Sequence, residues 1–393
     1  MMRAVELFAG AGGLGMGVSR AGFKPVEIVE WNRYCRDTLR ENHDQGAELV
    51  RDWPREVRGD VRDVDFSRHE GKLQLISGGP PCQPFSLGGK HRAHTDARDM
   101  FPEAVRAVRQ ARPASFIFEN VKGLTRASFQ SYLEYIVLQL QYPEFVAQPD
   151  EDWSEHLRRL ERHHTGRRGD AGLEYRVVWN VLNAADYGVP QRRERVFFVG
   201  FRSDLGVEWC FPKATHSREA LAWSQGPNGD YWDRHRIARK DRAVTPAMAR
   251  LAETADQPEG ILPWRSTRDE IGDLPDPERA PAAAREYANH LFQPGARAYP
   301  GHTGSPVDEP AKTLKAGVHG VPGGENMGVW ANGRLRYFTV RESARLQTFP
   351  DNFVFQGCWS EAMRQLGNAV PVKLAEVVAK AVGDALPANA RAA

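Results

Sequence analysis

Hydrophobic residues in the first half of the chain form short apolar runs separated by amphipathic stretches. RAVELFA, at 3 to 9, is broken by Gly10, Ala11, Gly12 and Gly13, after which LGMGVSRAGF begins a helix. Strand, glycine turn and helix in that order open a nucleotide-binding α/β unit. The alternation repeats: VEIVEW at 26 to 31 precedes the helical RYCRDTLRENH, LQLISGG at 73 to 79 precedes FPEAVRAVRQARP, and SFIFEN at 115 to 120 precedes FQSYLEYIVLQL. This rhythm predicts an α/β fold with a doubly wound, mostly parallel sheet. YRVVWNVLNA at 175 to 184 and ERVFFVGF at 194 to 201 add two strands. Between them and the preceding helix, EDWSEHLRRLERHHTGRRGD carries Leu157 and Leu160 in a field of charges, the pattern of an exposed helix followed by a loop.

The texture changes near residue 201. Of the 26 prolines, 13 fall in residues 201 to 335, and regular periodicity fades there, which predicts a second, smaller, irregular and β-rich domain. TVRESARLQTF at 339 to 349 is helical again, and VPVKLAEVVAKAVGDAL, after Gly367 and Asn368, is an amphipathic helix able to return to the first sheet. The expected division is 1 to 203 with 360 to 393 as one domain and 204 to 359 as the other.

A length of 393 residues agrees with two lobes of roughly 150 to 250 residues each. With 41% hydrophobic and 26% charged residues, composition excludes a largely disordered chain. No apolar window approaches a membrane span, and the start has no cationic leader, so a cytoplasmic protein with no membrane partner is expected. Cys35, Cys82, Cys210 and Cys358 are scattered along the chain, too far apart for paired zinc ligands or a compact disulfide framework. Any functional cysteine acts alone. His91 and His94 have no further ligand at metal spacing, so no metal is expected. Net charge is +2, so a nucleic-acid partner would need positive charge held locally.

The glycine cluster FAGAGGLGMG fits a turn where a missing Cβ lets backbone approach a ligand, although it also fits any tight βα turn. Its sequel favours an adenosine ligand. Glu30 ends the second strand at the spacing from Gly10 that lets a carboxylate bond both ribose hydroxyls, and Asp60, in GDVRD, can accept from an adenine amino group. In GGPPCQPFS at 78 to 86, Cys82 follows two prolines at a strand exit. The flanking glycines and prolines pack a core poorly but make a rigid platform for a nucleophile, against the alternative of a buried structural cysteine. Glu119 ends the neighbouring strand, as an acid or as a helix cap.

ELFAGAGGLGMG, GGPPCQPFS, Glu119-Asn120-Val121, QRRER at 191 to 195, RESARLQTFPD at 341 to 351 and GNAVPV at 367 to 372 resemble, in order, the signatures of the cytosine carbon-5 DNA methyltransferases of bacterial restriction-modification systems. The unmatched middle, 202 to 335, is where that family keeps its target-recognition domain. The resemblance implies a Rossmann-like methyltransferase fold, S-adenosyl-L-methionine as cofactor, and double-stranded DNA as partner in a prokaryotic, nucleoid-associated setting that leaves room for a cognate restriction endonuclease. It implies Cys82 as the nucleophile that adds to carbon 6 of a flipped-out cytosine, Glu119 as the acid at ring nitrogen 3, Arg195 as a contact to the base, and both Arg193 and Arg195 helping fix adjacent phosphate. Phe8 would stack on adenine, Trp31 and Val61 would line its slot, and Asn368 would close the methionine end; Gly10, Gly12, Gly13, Leu14, Glu30, Asp60, Pro80 and Ala369 complete the expected cofactor set. Trp31 fits a core aromatic as well. Gln83, Ser86, Lys90, Arg92 and Thr313 are the expected DNA contacts, with the basic run DRHRIARKDR at 233 to 242 either a further patch or a solvated helix face.

An RNA cytosine methyltransferase of the same family shares these motifs, but the long variable region favours DNA. A dinucleotide-dependent oxidoreductase would share the glycine turn yet leaves PPCQ, ENV and QRRER unexplained. A catalytically dead DNA-binding homologue is disfavoured by the presence of Cys82, Glu119 and Arg195 together. The stretch from Glu119 to Gln191 is longer than in compact bacterial members, and the charged insertion supplies much of the excess.

Overall fold

A computed structural model describes residues 1–81, 99–166, 172–255, 259–316 and 326–391. Strands β1 (Met2–Leu7), β2 (Phe23–Val29), β3 (Val57–Arg58), β4 (Leu75–Gly78), β5 (Ser115–Val121), β6 (Tyr175–Asn183) and β7 (Glu194–Arg202) form one sheet in the order β3-β2-β1-β4-β5-β7-β6. Pairing is parallel from β3 to β5, and β7 runs antiparallel to both β5 and β6. The predicted doubly wound α/β sheet is therefore present. Its strand order reverses between β1 and β4, and ligands of such sheets bind in the crevice beyond the strand ends at that reversal. The glycine turn after β1 and the Gly-Gly-Pro-Pro exit of β4 both open there.

Helices α1 (Gly13–Arg20), α2 (Arg33–Asp44), α3 (Phe101–Ala111), α4 (Gln130–Gln141) and α5 (Trp153–Gly166) cover the sheet. One core lies between the sheet and α3, α4 and α5, with Phe101, Phe116, Phe118, Ile136 and Phe198 fully buried. The expectation of an exposed α5 requires correction. His156, Leu157 and Leu160 are buried, and the two leucines belong to that same core. The charged residues occupy the other faces, so charge density along the segment concealed a narrow apolar stripe.

Beyond β7 the chain forms small elements. Helices α6 to α10 lie at Arg218–Gln225, Tyr231–Arg234, Pro246–Thr254, Thr267–Ile271 and Pro281–Ala284. β8 (His216–Ser217) pairs with β9 (Leu262–Pro263), and β10 (Ser305–Pro306), β11 (Met327–Val329) and β12 (Leu335–Tyr337) make a three-stranded sheet. The second region thus carries small sheets and is irregular, with more of its described residues in short helices than in strands. Two apolar clusters hold it, one around Phe338 and Leu314, the other around Tyr231 and Trp232.

The chain then returns through α11 (Val340–Leu346), α12 (Trp359–Asn368) and α13 (Val372–Ala385). α13 packs on α1 so closely that a Cβ at Gly17 would lie 2.4 Å from the Ala375 Cβ. The return begins earlier than the expected boundary at 360: Val340, Ala344, Phe349, Phe353 and Phe355 share a core with Ala9, Met16, Ile28 and Leu39. On the entry side, Val207, Trp209 and Phe211 pack against the core beneath α13. Apolar burial therefore assigns about 1 to 211 and 340 to 391 to one packed body, and the division at 203 and 360 cuts through it.

Candidate active site

At the β1 exit the backbone turns sharply: Phe8, Gly10 and Gly12 have φ of 53°, 55° and 87°, and Gly12 caps α1 in the left-handed region that glycine adopts freely. Gly13 and Leu14 begin α1, where Leu14 is buried. The Glu30 carboxylate accepts from the Gly10 N–H (2.6 Å) and the Asn32 N–H (2.6 Å), fastening the glycine turn to the end of β2. Burial pushes the Glu30 carboxyl up, opposed by those two N–H groups and by Arg36. Asn32 then caps α2 by accepting from the N–H groups of Tyr34 and Cys35.

The end of β2 opens on a cavity of about 770 Å³, with Glu30, Trp31, Asn32, Arg36 and Asp60 among its lining. Trp31 is 66% exposed, which removes the core reading. Asp60 caps the turn Val61–Asp63 and is paired with Arg62. Val61 is buried beside it in the core, and Phe8 is half-buried against that core.

A second constellation lies across β4, on β5. Glu119, near the end of β5, is buried; its Oε1 receives Arg195 Nε at 2.9 Å, and a Cβ on Gly79 would lie 3.2 Å from its Oε2. Burial raises the Glu119 carboxyl above the ordinary value, against the opposing charges of Arg195 and Arg193. Asn120 Nδ2 donates to the Pro80 carbonyl (2.9 Å), and the Met100 N–H donates to the Pro81 carbonyl (2.9 Å). The carboxyl of Glu119 is thereby held against the chain just ahead of Cys82. Cys82, Gln83, Ser86, Lys90 and Arg92 lie outside the described residues.

Arg193 lies within electrostatic reach of Glu119 and Arg195 but does not take up phosphate as expected. It is fully buried, and its guanidinium donates to the carbonyls of Leu314 (3.1 Å) and Gly367 (2.7 Å). Two arginines at alternate positions of one segment thus have separate roles, and Arg193, spent on backbone, has no access to phosphate. Thr313 donates its hydroxyl to the Arg192 carbonyl (2.7 Å), so it too joins segments in this structure. Gln191, which is absent from the expected site set, donates to the Leu346 carbonyl and accepts from the Leu314 N–H. Its place at the head of QRRER was the available signal. Asn368 is exposed at the end of α12, while Ala369 beyond it is buried in the core shared with α11.

Glu6 is a further residue that no motif signals. It is buried on β1 beneath α1, accepts from the Ser77 hydroxyl, and is pushed by burial up to about 8. No group of three or more potential metal ligands occurs among the described residues, and no helix there is long and apolar enough to cross a membrane.

The family model described as C-5 cytosine-specific DNA methylase matches residues 2–147 and 169–384. The gap includes α5, most of the charged insertion. Among curated relatives, the Type II methyltransferase M.PspPI of Psychrobacter sp. (strain TA137) is 32% identical over 385 residues, covering 96% of this chain and 78% of the relative. The Type II methyltransferase M.NgoMIV of Neisseria gonorrhoeae is 29% identical over 386 residues, covering 97% of each. Among solved structures, the S. pombe Dnmt2 methyltransferase aligns with TM-score 0.55 at 15% identity over 98% of this chain and 99% of the other. A putative DNA modification methyltransferase encoded within a prophage (E. coli) aligns with TM-score 0.54 at 20% identity, again over 98% and 99%. The two structures support the fold alone.

Proposed function

The chain belongs to the family of C-5 cytosine-specific DNA methylases, and from that premise we propose which of its residues carry the reaction and what they hold. The protein is a DNA (cytosine-5-)-methyltransferase of the Type II restriction-modification kind; the names of its relatives favour DNA over RNA as substrate.

Carbon 5 of cytosine is a poor nucleophile until a thiolate adds at carbon 6 and makes the ring an enamine. Cys82 is the thiolate in this reading, and the target base must leave the helix stack to reach it, at a cost of a few kcal/mol. Electron density pushed into the ring collects at nitrogen 3. A carboxyl group whose hold on a proton is strengthened by burial can donate there, and Glu119, held over Gly79, is such a group. Arg195 keeps Glu119 in place and offers the base those guanidinium N–H groups that Glu119 and the Glu194 carbonyl do not take. The observation that carries the assignment is the juxtaposition of the Glu119 carboxyl with the β4 exit that leads to Cys82.

The cavity beside the glycine turn fits an adenosine cofactor. The turn leaves backbone bare, since a Cβ at Gly10 would meet nothing within 4 Å, Glu30 keeps lone pairs for ribose hydroxyls, and Trp31 lines the cavity with an exposed ring. S-adenosyl-L-methionine bound there would supply the electrophilic methyl group. Phe8, Gly10, Glu30, Trp31 and Asp60 would hold its adenosine, with Pro80 and Asn368 toward its other end. The region from about 212 to 339 reads the DNA sequence, and the protein works in the cytoplasm on nucleoid DNA, with a cognate endonuclease as companion.

Bisulfite sequencing of duplex DNA after incubation with the protein and S-adenosyl-L-methionine tests this reading. Protected cytosines within one short sequence are expected, and Cys82→Ser should lose nearly all transfer because a serine hydroxyl is far less ionised. Near-normal turnover by that variant would remove the mechanism.

A further inference from the structure

Arg62 lies against Trp31 and Asp60, two residues that the proposed reading gives to the adenosine. Its guanidinium is 5.6 Å from the centroid of the Trp31 ring, and its side chain donates to both oxygens of Asp60. Asp60 Oδ1 accepts from the Arg62 backbone N–H (3.0 Å) and from Nε (2.9 Å), while Oδ2 accepts from Nε (3.1 Å) and from Nη2. A carboxylate offers about four lone-pair positions, so these contacts fill it. Two of the features that suit the cavity to adenine, an aromatic face and an acceptor for the amino group, are both occupied by one side chain of the protein itself.

We propose that Arg62 is an internal competitor for the adenine subsite, a cation that must leave Asp60 and Trp31 before the cofactor binds. This inference rests on the reading of the cavity as the adenosine site. The arrangement suits displacement. Arg106 donates to the carbonyls of Val61 and Val64 and stacks over Phe66, fixing the turn that carries Arg62. The Arg62 side chain is 45% exposed, so it can swing into water while the backbone cap on Asp60 Oδ1 stays. An exposed ion pair and an exposed cation–π contact are each individually weak. Arg62 therefore sets affinity without blocking the site, and it gives cofactor binding a dependence on ionic strength that a ligand with no net charge would otherwise lack.

Titration calorimetry with S-adenosylhomocysteine, a product-like ligand without the sulfonium charge, tests this on the full chain. Arg62→Ala should bind roughly threefold to tenfold more tightly than the parent, on the scale of the two weak contacts removed. The parent's affinity should rise between low and moderate salt, and that rise should vanish in Arg62→Ala. Arg62→Lys, which keeps the charge without the planar fork, should fall between the two. Glu30→Ala in the same series reports on the cavity itself. If Glu30→Ala weakens binding while Arg62→Ala leaves it unchanged or weakens it, the competitor role is overturned and the cavity assignment stands. If Glu30→Ala binds as the parent does, the cavity is not the cofactor site, and the inference falls with that reading.

Discussion

The glycine-turn site at β1 and the Glu119 site on β5 lie two strands apart on the same sheet and are held by different physics. Around the glycine turn, side chains bond backbone: Glu30 takes the N–H groups of Gly10 and Asn32, and Asn32 takes those of Tyr34 and Cys35. Around Glu119, buried charges bond each other or distant carbonyls: Glu119 with Arg195, and Arg193 with Leu314 and Gly367. The first arrangement leaves a cavity with exposed walls. The second excludes water, which raises the carboxyl of Glu119 and makes the loss of either partner costly. Binding a neutral heterocycle needs shape and hydrogen-bonding edges, whereas moving charge on a cytosine ring needs a proton held in a dry site. Under the proposed reading, each site is built as its chemistry requires.

The contrast can be broken most visibly at Glu119. Glu119→Gln keeps the size and an acceptor for Arg195 Nε but cannot pass a proton, so single-turnover methyl transfer should slow by roughly 10²- to 10⁴-fold, with the fold retained on a melting curve. A rate within about threefold of the parent, well short of that general-acid range, would leave Glu119 a structural partner of Arg195.

Glu6 is the exception on the glycine side, a buried carboxyl facing a hydroxyl in place of a cation. Because its folded value is raised, to about 8, its contribution to stability is fully present below the unfolded value and is lost as pH rises through the folded one. Denaturant melts of the parent should therefore lose roughly 2 to 4 kcal/mol between pH 5 and pH 8 relative to Glu6→Gln, which keeps a partner for Ser77 without a charge to bury. Parallel stability curves for the two proteins would mean that Glu6 is ionised without penalty.

Glu30→Ala sharpens the comparison from the ligand side. Affinity for S-adenosyl-L-methionine should fall by roughly 1.5 to 3 kcal/mol, the scale of hydrogen bonds to a charged group, while methyl transfer at saturating cofactor falls much less than in Glu119→Gln. Unchanged affinity would move the ribose contact elsewhere.

Much of the glycine-side pocket is legible in the sequence because its parts are local: a turn, the end of the very next strand, a capped helix. Glu119 is legible from its motif, but its partner is not. Arg193 and Arg195 carry the same side chain two positions apart, and their different fates depend on Leu314 and Gly367, which are remote in sequence. Helix α12 escapes pattern reading because Gly367 and Asn368 look like a terminator, which they are, while the helix they terminate begins at Trp359 behind an irregular run. In α5 the charges outnumber the apolar positions, which favours an exposed helix on paper, although Leu157, Leu160 and His156 suffice to bury one face.

The packing of α13 on α1 has a consequence in time. The glycine turn and α1 are complete in sequence by Arg20, but the helix that packs against α1 starts only at Val372, near the far end of the chain. At a synthesis rate of about 5 to 20 residues per second, roughly 20 to 70 seconds pass between the emergence of the two. Until then the apolar side of α1 and the underside of β1 lack their cover. The nascent protein therefore passes through a long interval in which its glycine turn exists as sequence without support, until α13 docks.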